Sequence, residues 1–385
     1  MRLSTSGAAS IATLIVALGC DESSSEPRTP QLARYVALGN SITAGYQSGG
    51  IDDATQRRAY PALIARQAGV PYAFASMGAG CPAPISSLLD GLAGAGDRPC
   101  TVAGQHPGRR LLNNVAVPGA DSFDPTDLTP DTDDLTALIL DGENQVDKAL
   151  EETPTFVTVW IGNNDVLGAA IDGIATPAAI TDPVVFGTNF DAIVGRLSDA
   201  GVSAGVFVGV ADVTQIPLLI PASALARTDV RVALNAATGK TVAIHASCTA
   251  STVFISLGIV AAIASDAHPA TVTCTPTQPG GVGDQWVLTN EERAAIQSAV
   301  TAYNAHIAAA AAARGFVYYD PNPLFAAARA AGEIPEVPDP FSSQPFGVLF
   351  SLDGVHPSNE GHVRIANELI DAINARYATG IPRNP

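Results

Sequence analysis

The sequence predicts an α/β chain, a three-layer α/β/α sandwich around a mostly parallel five-stranded sheet, with loop insertions and a weaker sixth run that would add an edge strand. Two observations carry that expectation. The 385 residues are 47% hydrophobic and only 15% charged, enough apolar material for one large domain. Short apolar runs also alternate with longer helical patterns, the rhythm of a parallel sheet covered by helices on both faces.

The strand-like runs are Arg34–Leu38, Tyr72–Ala75, Asn114–Val117, Phe156–Ile161 and Val202–Val210, with Phe316–Tyr319 as the weaker sixth. Helical patterns fall at about Pro61–Ala68, Leu135–Glu151, Pro183–Asp199, Asn290–Arg314 and Asn359–Tyr377. Thr289 is placed to cap the 290–314 helix, which carries acids in its first turn and stops before Gly315. Three segments break the rhythm. Residues 78–110 and 215–285 are rich in Gly, Pro and Thr and read as insertions on the rim of a domain spanning 31–385. Asp121–Asp134 holds six aspartates, but it lacks the glycine and terminal glutamate of a calcium loop and reads as a solvated acidic loop.

The net charge of −17 argues against nucleic acid or an anionic membrane surface as the main partner. Residues 1–20 stand apart from the core. Arg2 precedes an apolar stretch, Ala8 to Leu18, that is too short to span a bilayer comfortably, and Leu18-Gly19-Cys20 leads into the polar run 21–27. This resembles a bacterial lipoprotein signal, which implies acylation of Cys20, a flexible tether over 21–30, and a chain held at a cell-envelope membrane through its lipid alone. An ordinary cleaved signal and an uncleaved anchor are the other readings, and all three export the chain. The four remaining cysteines allow three pairings; Cys81–Cys100 and Cys248–Cys274 are favoured, because each near pair flanks Pro- and Gly-rich loop sequence. No C-x-x-C or nearby histidine supports a metal site.

Four blocks carry chemistry. Val36-Ala37-Leu38-Gly39-Asn40-Ser41 ends an apolar strand in a tight turn that presents a hydroxyl where open α/β sheets bind ligands. Asn113-Asn114-Val115-Ala116-Val117-Pro118-Gly119-Ala120 ends in a glycine whose N–H is unshielded, and Gly162-Asn163-Asn164-Asp165 puts an amide at another strand end. In Asp353-Gly354-Val355-His356-Pro357 the carboxylate is spaced to bend back onto the imidazole. In this order and spacing the blocks resemble the SGNH hydrolases, or GDSL esterase/lipase family, with Asn40 where the family carries Asp. The resemblance covers residues 39–357.

It implies a sheet of flavodoxin-like order and a serine hydrolase of carboxylic esters needing no metal or organic cofactor. Ser41 would be the nucleophile, His356 the general base and Asp353 its anchor. The N–H groups of Ser41 and Gly119 and the Asn164 amide would form the oxyanion hole. Lipid or acyl esters and acetylated sugars are the substrate classes in view, and Ile216–Ile220 and Phe346–Phe350 are apolar segments that either line an acyl pocket or simply pack. An acyltransferase on the same site and a non-catalytic glycan- or lipid-binding lipoprotein are the rival readings. His268, in Asp266-Ala267-His268-Pro269, mimics the last block with the wrong spacing. His362 reads as packing or capping, Asp165 as a loop-stabilising residue, and His106, His245 and His306 have no supporting pattern.

Overall fold

The computed structural model describes residues 29–78, 81–86, 100–102, 111–129, 134–275, 285–339 and 341–385. The segment expected to be a signal, Cys20, and the expected tether as far as residue 28 lie outside the described residues. Thr29 is already packed, its hydroxyl donating to the Ala68 carbonyl.

A parallel sheet forms the centre, with strands β1 (Tyr35–Gly39), β2 (Phe156–Trp160), β3 (Gly205–Val208) and β4 (Val317–Tyr319) in that spatial order. Alternation decides which side chain faces which layer. Tyr35, Ala37, Phe156, Trp160, Val206 and Val208 face helices α1 (Tyr60–Ala68) and α5 (Asn359–Tyr377). Val36, Leu38, Val157, Val159 and Phe207 face α3 (Pro183–Asp199) and α4 (Asn290–Arg314), where Phe186 and Tyr303 stack with ring centroids 4.1 Å apart. Both faces of every strand are therefore apolar, as a helix-covered parallel sheet requires.

Two expected strands differ. Residues 113–117 run along the free edge of β1, with Ala37 N–H donating to Asn113 and the Val115 and Val117 N–H groups donating to Ala37 and Gly39. On the outer side the Asn113 and Asn114 N–H groups donate to the Ala73 carbonyl and Asn114 makes an isolated bridge to Phe74, short of a ladder, so the 72–75 run is not a strand of its own. The Asn113 side chain takes over part of the edge, accepting from Ala73 N–H and donating to the Tyr35 carbonyl. The weak run near 317 is instead a full member of the sheet. The single helix expected over Leu135–Glu151 is two, Asp134–Leu140 and Gln145–Glu151. Asp141 and Gly142 adopt positive φ (57° and 85°), and Asn144 caps the second helix at Asp147 N–H.

The described residues of 219–275 and 285–288 surround a small core of their own that includes Ile220, Leu234, Ile255, Ile259 and Ile263. Leu219–Pro221, Phe254–Ser256 and Val287–Leu288 pair as an antiparallel sheet under two helices, Thr228–Thr238 and Gly258–Ala264. Cys248–Cys274 is bonded inside this unit, and Cys81–Cys100 closes the segment after residue 78. Both pairings are those favoured from sequence. In the acidic loop, Asp121 and Asp127 accept N–H bonds from residues two further on, and Asp124 accepts from Asp121 N–H. Residues 130–133 lie outside the description.

Candidate active site

β1 ends at Gly39, where φ is +155° and a Cβ would meet both Thr43 Oγ1 and the Trp160 carbonyl at 2.5 Å. Only glycine fits there. The turn leads into a four-residue helix, Ser41–Ala44, capped by Asn40 through a 3.1 Å bond from Ile42 N–H to Asn40 Oδ1. Asparagine thus retains the capping oxygen that aspartate would supply. Ser41 begins this helix and is 8% exposed.

His356 Nε2 lies 2.8 Å from Ser41 Oγ, and Nδ1 lies 2.9 Å from Asp353 Oδ2. Proton bookkeeping then sets the tautomer: Nδ1–H donates to the carboxylate, leaving Nε2 to accept from the serine hydroxyl. Asp353 Oδ1 also accepts from Ser351 Oγ, Val355 N–H and His356 N–H, and Oδ2 from Gly49 N–H. Burial raises the Asp353 carboxyl, but the adjacent imidazole, its hydrogen bond and the backbone donors outweigh this and hold the group down to about 2. It is a carboxylate throughout the neutral range.

A second clamp comes from the segment after Ser41. Ser48 N–H donates to Ser351 Oγ and Leu352 N–H donates to Ser48 Oγ, so the 47–50 turn is stitched to the 351–353 loop. The Tyr46 ring packs 4.8 Å from the His356 ring, and its hydroxyl donates to the Gly49 carbonyl. Gln145 Oε1 accepts from Gly39 N–H at 2.9 Å and steadies the strand end. Sequence reasoning missed Tyr46, Ser48, Gly49, Gln145 and Ser351. Ser351 sits two residues before Asp353 and was within reach of a local reading; nothing in the chain pairs 48 with 351.

Asn164 opens helix α2 (Asn164–Asp172), and one N–H of its amide donates to the Ala120 carbonyl at 2.8 Å. The second N–H has no partner among the described residues. Ser41, Asn163, Asn164 and His356 line one cavity of about 460 Å³. Its other walls are largely apolar, including Leu167, Ile216, Phe325 and Phe350. Gly119, at φ +90°, lines an adjoining cavity of about 150 Å³, and the carbonyl of the next residue, Ala120, is the one that accepts from Asn164. Asp165 accepts from both the backbone and hydroxyl of Ser122, tying down the loop after Gly119. Burial, foremost, raises its carboxyl.

Of the two apolar segments, Ile216 and Phe350 reach the Ser41 cavity, whereas Leu218, Ile220 and Phe346 line another of about 380 Å³ beside Asp353. His268 packs against Trp286 with ring centroids 5.3 Å apart, His306 bonds Asp191, and His245 bonds Ser247. None of the three lines the Ser41 cavity, and His106 lies outside the described residues. Among the described residues no helix is long and apolar enough to cross a membrane.

A search of curated proteins finds no match. Among solved structures, the chain is similar to an extracellular lipase from Streptomyces rimosus at 17% identity, covering 88% of this chain and 98% of that one, with a TM-score of 0.37. An acetyl xylan esterase, AlAXEase, is 15% identical over 88% of this chain and 99% of its own, with a TM-score of 0.38. A phospholipase A1 from Streptomyces albidoflavus is 17% identical over 89% and 98%, with a TM-score of 0.32. The sequence signature described as GDSL-like lipase/acylhydrolase matches residues 35–369, nearly the whole described chain, and the protein belongs to that family of acylhydrolases.

Proposed function

We propose that the protein is a serine hydrolase that cleaves carboxylic esters through an acyl-enzyme on Ser41. One observation carries the reading: the unbroken hydrogen-bonded chain from Ser41 Oγ through His356 to Asp353. In it, His356 Nε2 takes the serine proton as Oγ forms its bond to the ester carbonyl carbon. The carbonyl π electrons move onto oxygen, where the Ser41 and Gly119 N–H groups and the free Asn164 N–H are the donors assigned to the charge. Collapse breaks the bond to the alcohol, which leaves with the proton from His356. Water then repeats the sequence on the acyl-enzyme and frees the acid. Each oxyanion donor is worth about 3 kcal/mol in such sites. The negative charge of Asp353 steadies the imidazolium that forms twice per turnover.

The largely apolar walls of the 460 Å³ cavity favour an acyl chain as the part of the substrate that is buried. Acylation of Cys20 and attachment to an envelope membrane belong to the same proposal, supported by the Leu-Gly-Cys end of the first apolar run and by two disulfides suited to an oxidising compartment.

The test is labelling with a fluorophosphonate together with a panel of p-nitrophenyl esters of increasing chain length. Labelling at Ser41, lost in Ser41→Ala along with turnover, is the expected result. A folded parent protein that resists the phosphonate and cleaves no ester overturns the hydrolase reading in favour of a binding protein.

A further inference from the structure

The polar side chains around the Ser41 cavity differ in how fully they are engaged. Asp212 accepts from Thr214 N–H, the Thr214 hydroxyl and the Gln297 amide. The Asn322 carbonyl oxygen accepts from Asp212 N–H, and its amide donates to the Val210 carbonyl and to Asp320. Asn163 and Arg329 stand out against these. Asn163 is 6% exposed, and among the described residues its Oδ1 has no partner and its Nδ2 makes no hydrogen bond. It begins a helix without capping it, because its own backbone is helical (φ −65°, ψ −39°).

Arg329 is half-buried on the helix Asn322–Ala330, and its guanidinium donates only to the Gln215 carbonyl. It has no carboxylate partner among the described residues, whereas the comparably buried Arg196 and Arg364 are paired with Asp147 and Glu333. Burial lowers its basicity, with Glu336 a weaker opposing influence. A guanidinium taken partly out of water without a counter-ion is costly, and so is a buried amide without partners. Both face a cavity that also holds the nucleophile. What Arg329 still offers, its remaining guanidinium N–H groups, are donors whose complement is a negatively charged oxygen group, whereas Asn163 offers an unpartnered amide oxygen as well as its Nδ2 and does not itself select for charge.

We propose that Arg329 is a specificity-determining residue that binds an anionic oxygen group, a carboxylate or a phosphate, carried by the ester substrate. The inference rests on Ser41 being the nucleophile and narrows the substrate class: an ester with an apolar acyl portion and one oxyanion within reach of the cavity wall.

Two substrate pairs test it and separate the sources of the anion. One pair is mono-p-nitrophenyl glutarate against p-nitrophenyl pentanoate, with the charge on the acyl side. The other is a monoacylglycerol 3-phosphate against the same monoacylglycerol, with the charge on the alcohol side. Arg329→Gln is expected to lower kcat/KM for the charged member of one pair about 10- to 100-fold, mainly through KM, while leaving the neutral members within about twofold; Arg329→Lys restores part of the loss. Equal effects on charged and neutral esters, or none, overturn this proposal while the Ser41 reading stands on neutral turnover. Should the parent cleave no ester, calorimetry decides: glutarate or glycerol 3-phosphate must bind Ser41→Ala and fail to bind Ser41→Ala/Arg329→Gln. Binding by neither probe, or binding that survives loss of the arginine, overturns the inference.

Discussion

His356 and His362 lie six positions apart and in opposite surroundings. The first is hydrogen-bonded on both ring nitrogens, with a carboxylate beside it. The second is 0% exposed and accepts from Tyr60 N–H at 3.2 Å. Burial first, and then repulsion from His356, depress its pKa to about 3. The unfolded chain takes up a proton near the ordinary histidine value, about 6.5, while the folded chain refuses it until about 3. Stability is therefore lost as pH falls through this window, with a slope approaching about 1.4 kcal/mol per pH unit from this group. Asp353 adds a smaller loss at the acid end, since its depressed carboxyl stabilises the fold only above about 2 and most fully above its unfolded value. His362→Asn keeps an acceptor for Tyr60 N–H and removes the titration. Melting temperatures at pH 7 and pH 4.5 should differ less in this variant than in the parent; an unchanged difference refutes the assignment. Asn164→Ala tests a different residue-scale role. It should lower kcat about a hundred- to a thousandfold with a smaller change in KM, because the free amide N–H matters most when charge develops on the carbonyl oxygen.

At the scale of elements, two loops hold the site. The 47–50 turn and the 351–357 loop exchange three bonds between Ser48 or Gly49 and Ser351, Leu352 or Asp353. Ser351→Ala removes a donor to Asp353 Oδ1 and an acceptor for Ser48 N–H. We expect kcat to fall about tenfold while fluorophosphonate still labels Ser41, since the nucleophile keeps its partner; full activity in Ser351→Ala would show that the clamp does not position the carboxylate. The same scale shows what the chain discloses. Long periodic helices were legible to the residue: Pro183–Asp199, Asn290–Arg314 and Asn359–Tyr377 match their patterns, because caps and apolar stripes are local signals. Asn164–Asp172 and Asn322–Ala330 were not, since one follows directly from a site motif and the other is a short Ala-rich stretch whose partners are distant. The run Asn114–Val117 was legible as apolar sequence but not as an edge segment whose outer bonds are shared with the side chain of Asn113. In the site, the hydrogen-bonded set Ser41, His356 and Asp353 falls on residues that the sequence motifs single out; the supporting turn at 47–50 was hidden because its partner lies some three hundred positions away.

On the scale of the whole molecule, the described residues of 219–275 and 285–288 are joined to the sheet layers yet carry a separate core closed by Cys248–Cys274. Removing that disulfide as Cys248→Ser/Cys274→Ser should cost about 2–4 kcal/mol. The cost should fall on this unit: hydrogen exchange at Ile255 and Ile259 should speed up, while amides of β1 and β2 stay protected and Ser41 remains reactive. Uniform acceleration across β1 and β2 would show instead that the unit and the sheet unfold together.

The bond from Ser41 to His356 spans 315 positions, and Asp353 is fastened by the turn directly after Ser41. Residues far apart in sequence thus meet at the site, and α5, which follows His356, packs beside α1 on the sheet. The hydrogen-bonded pair can form only once translation has passed residue 356. A nascent chain that stops short of His356 lacks the partner of Ser41, and labelling of Ser41 is expected to report that the pair has formed. In refolding from urea, phosphonate labelling should appear no earlier than the slowest structural phase, and a chain ending at residue 350 should never acquire it.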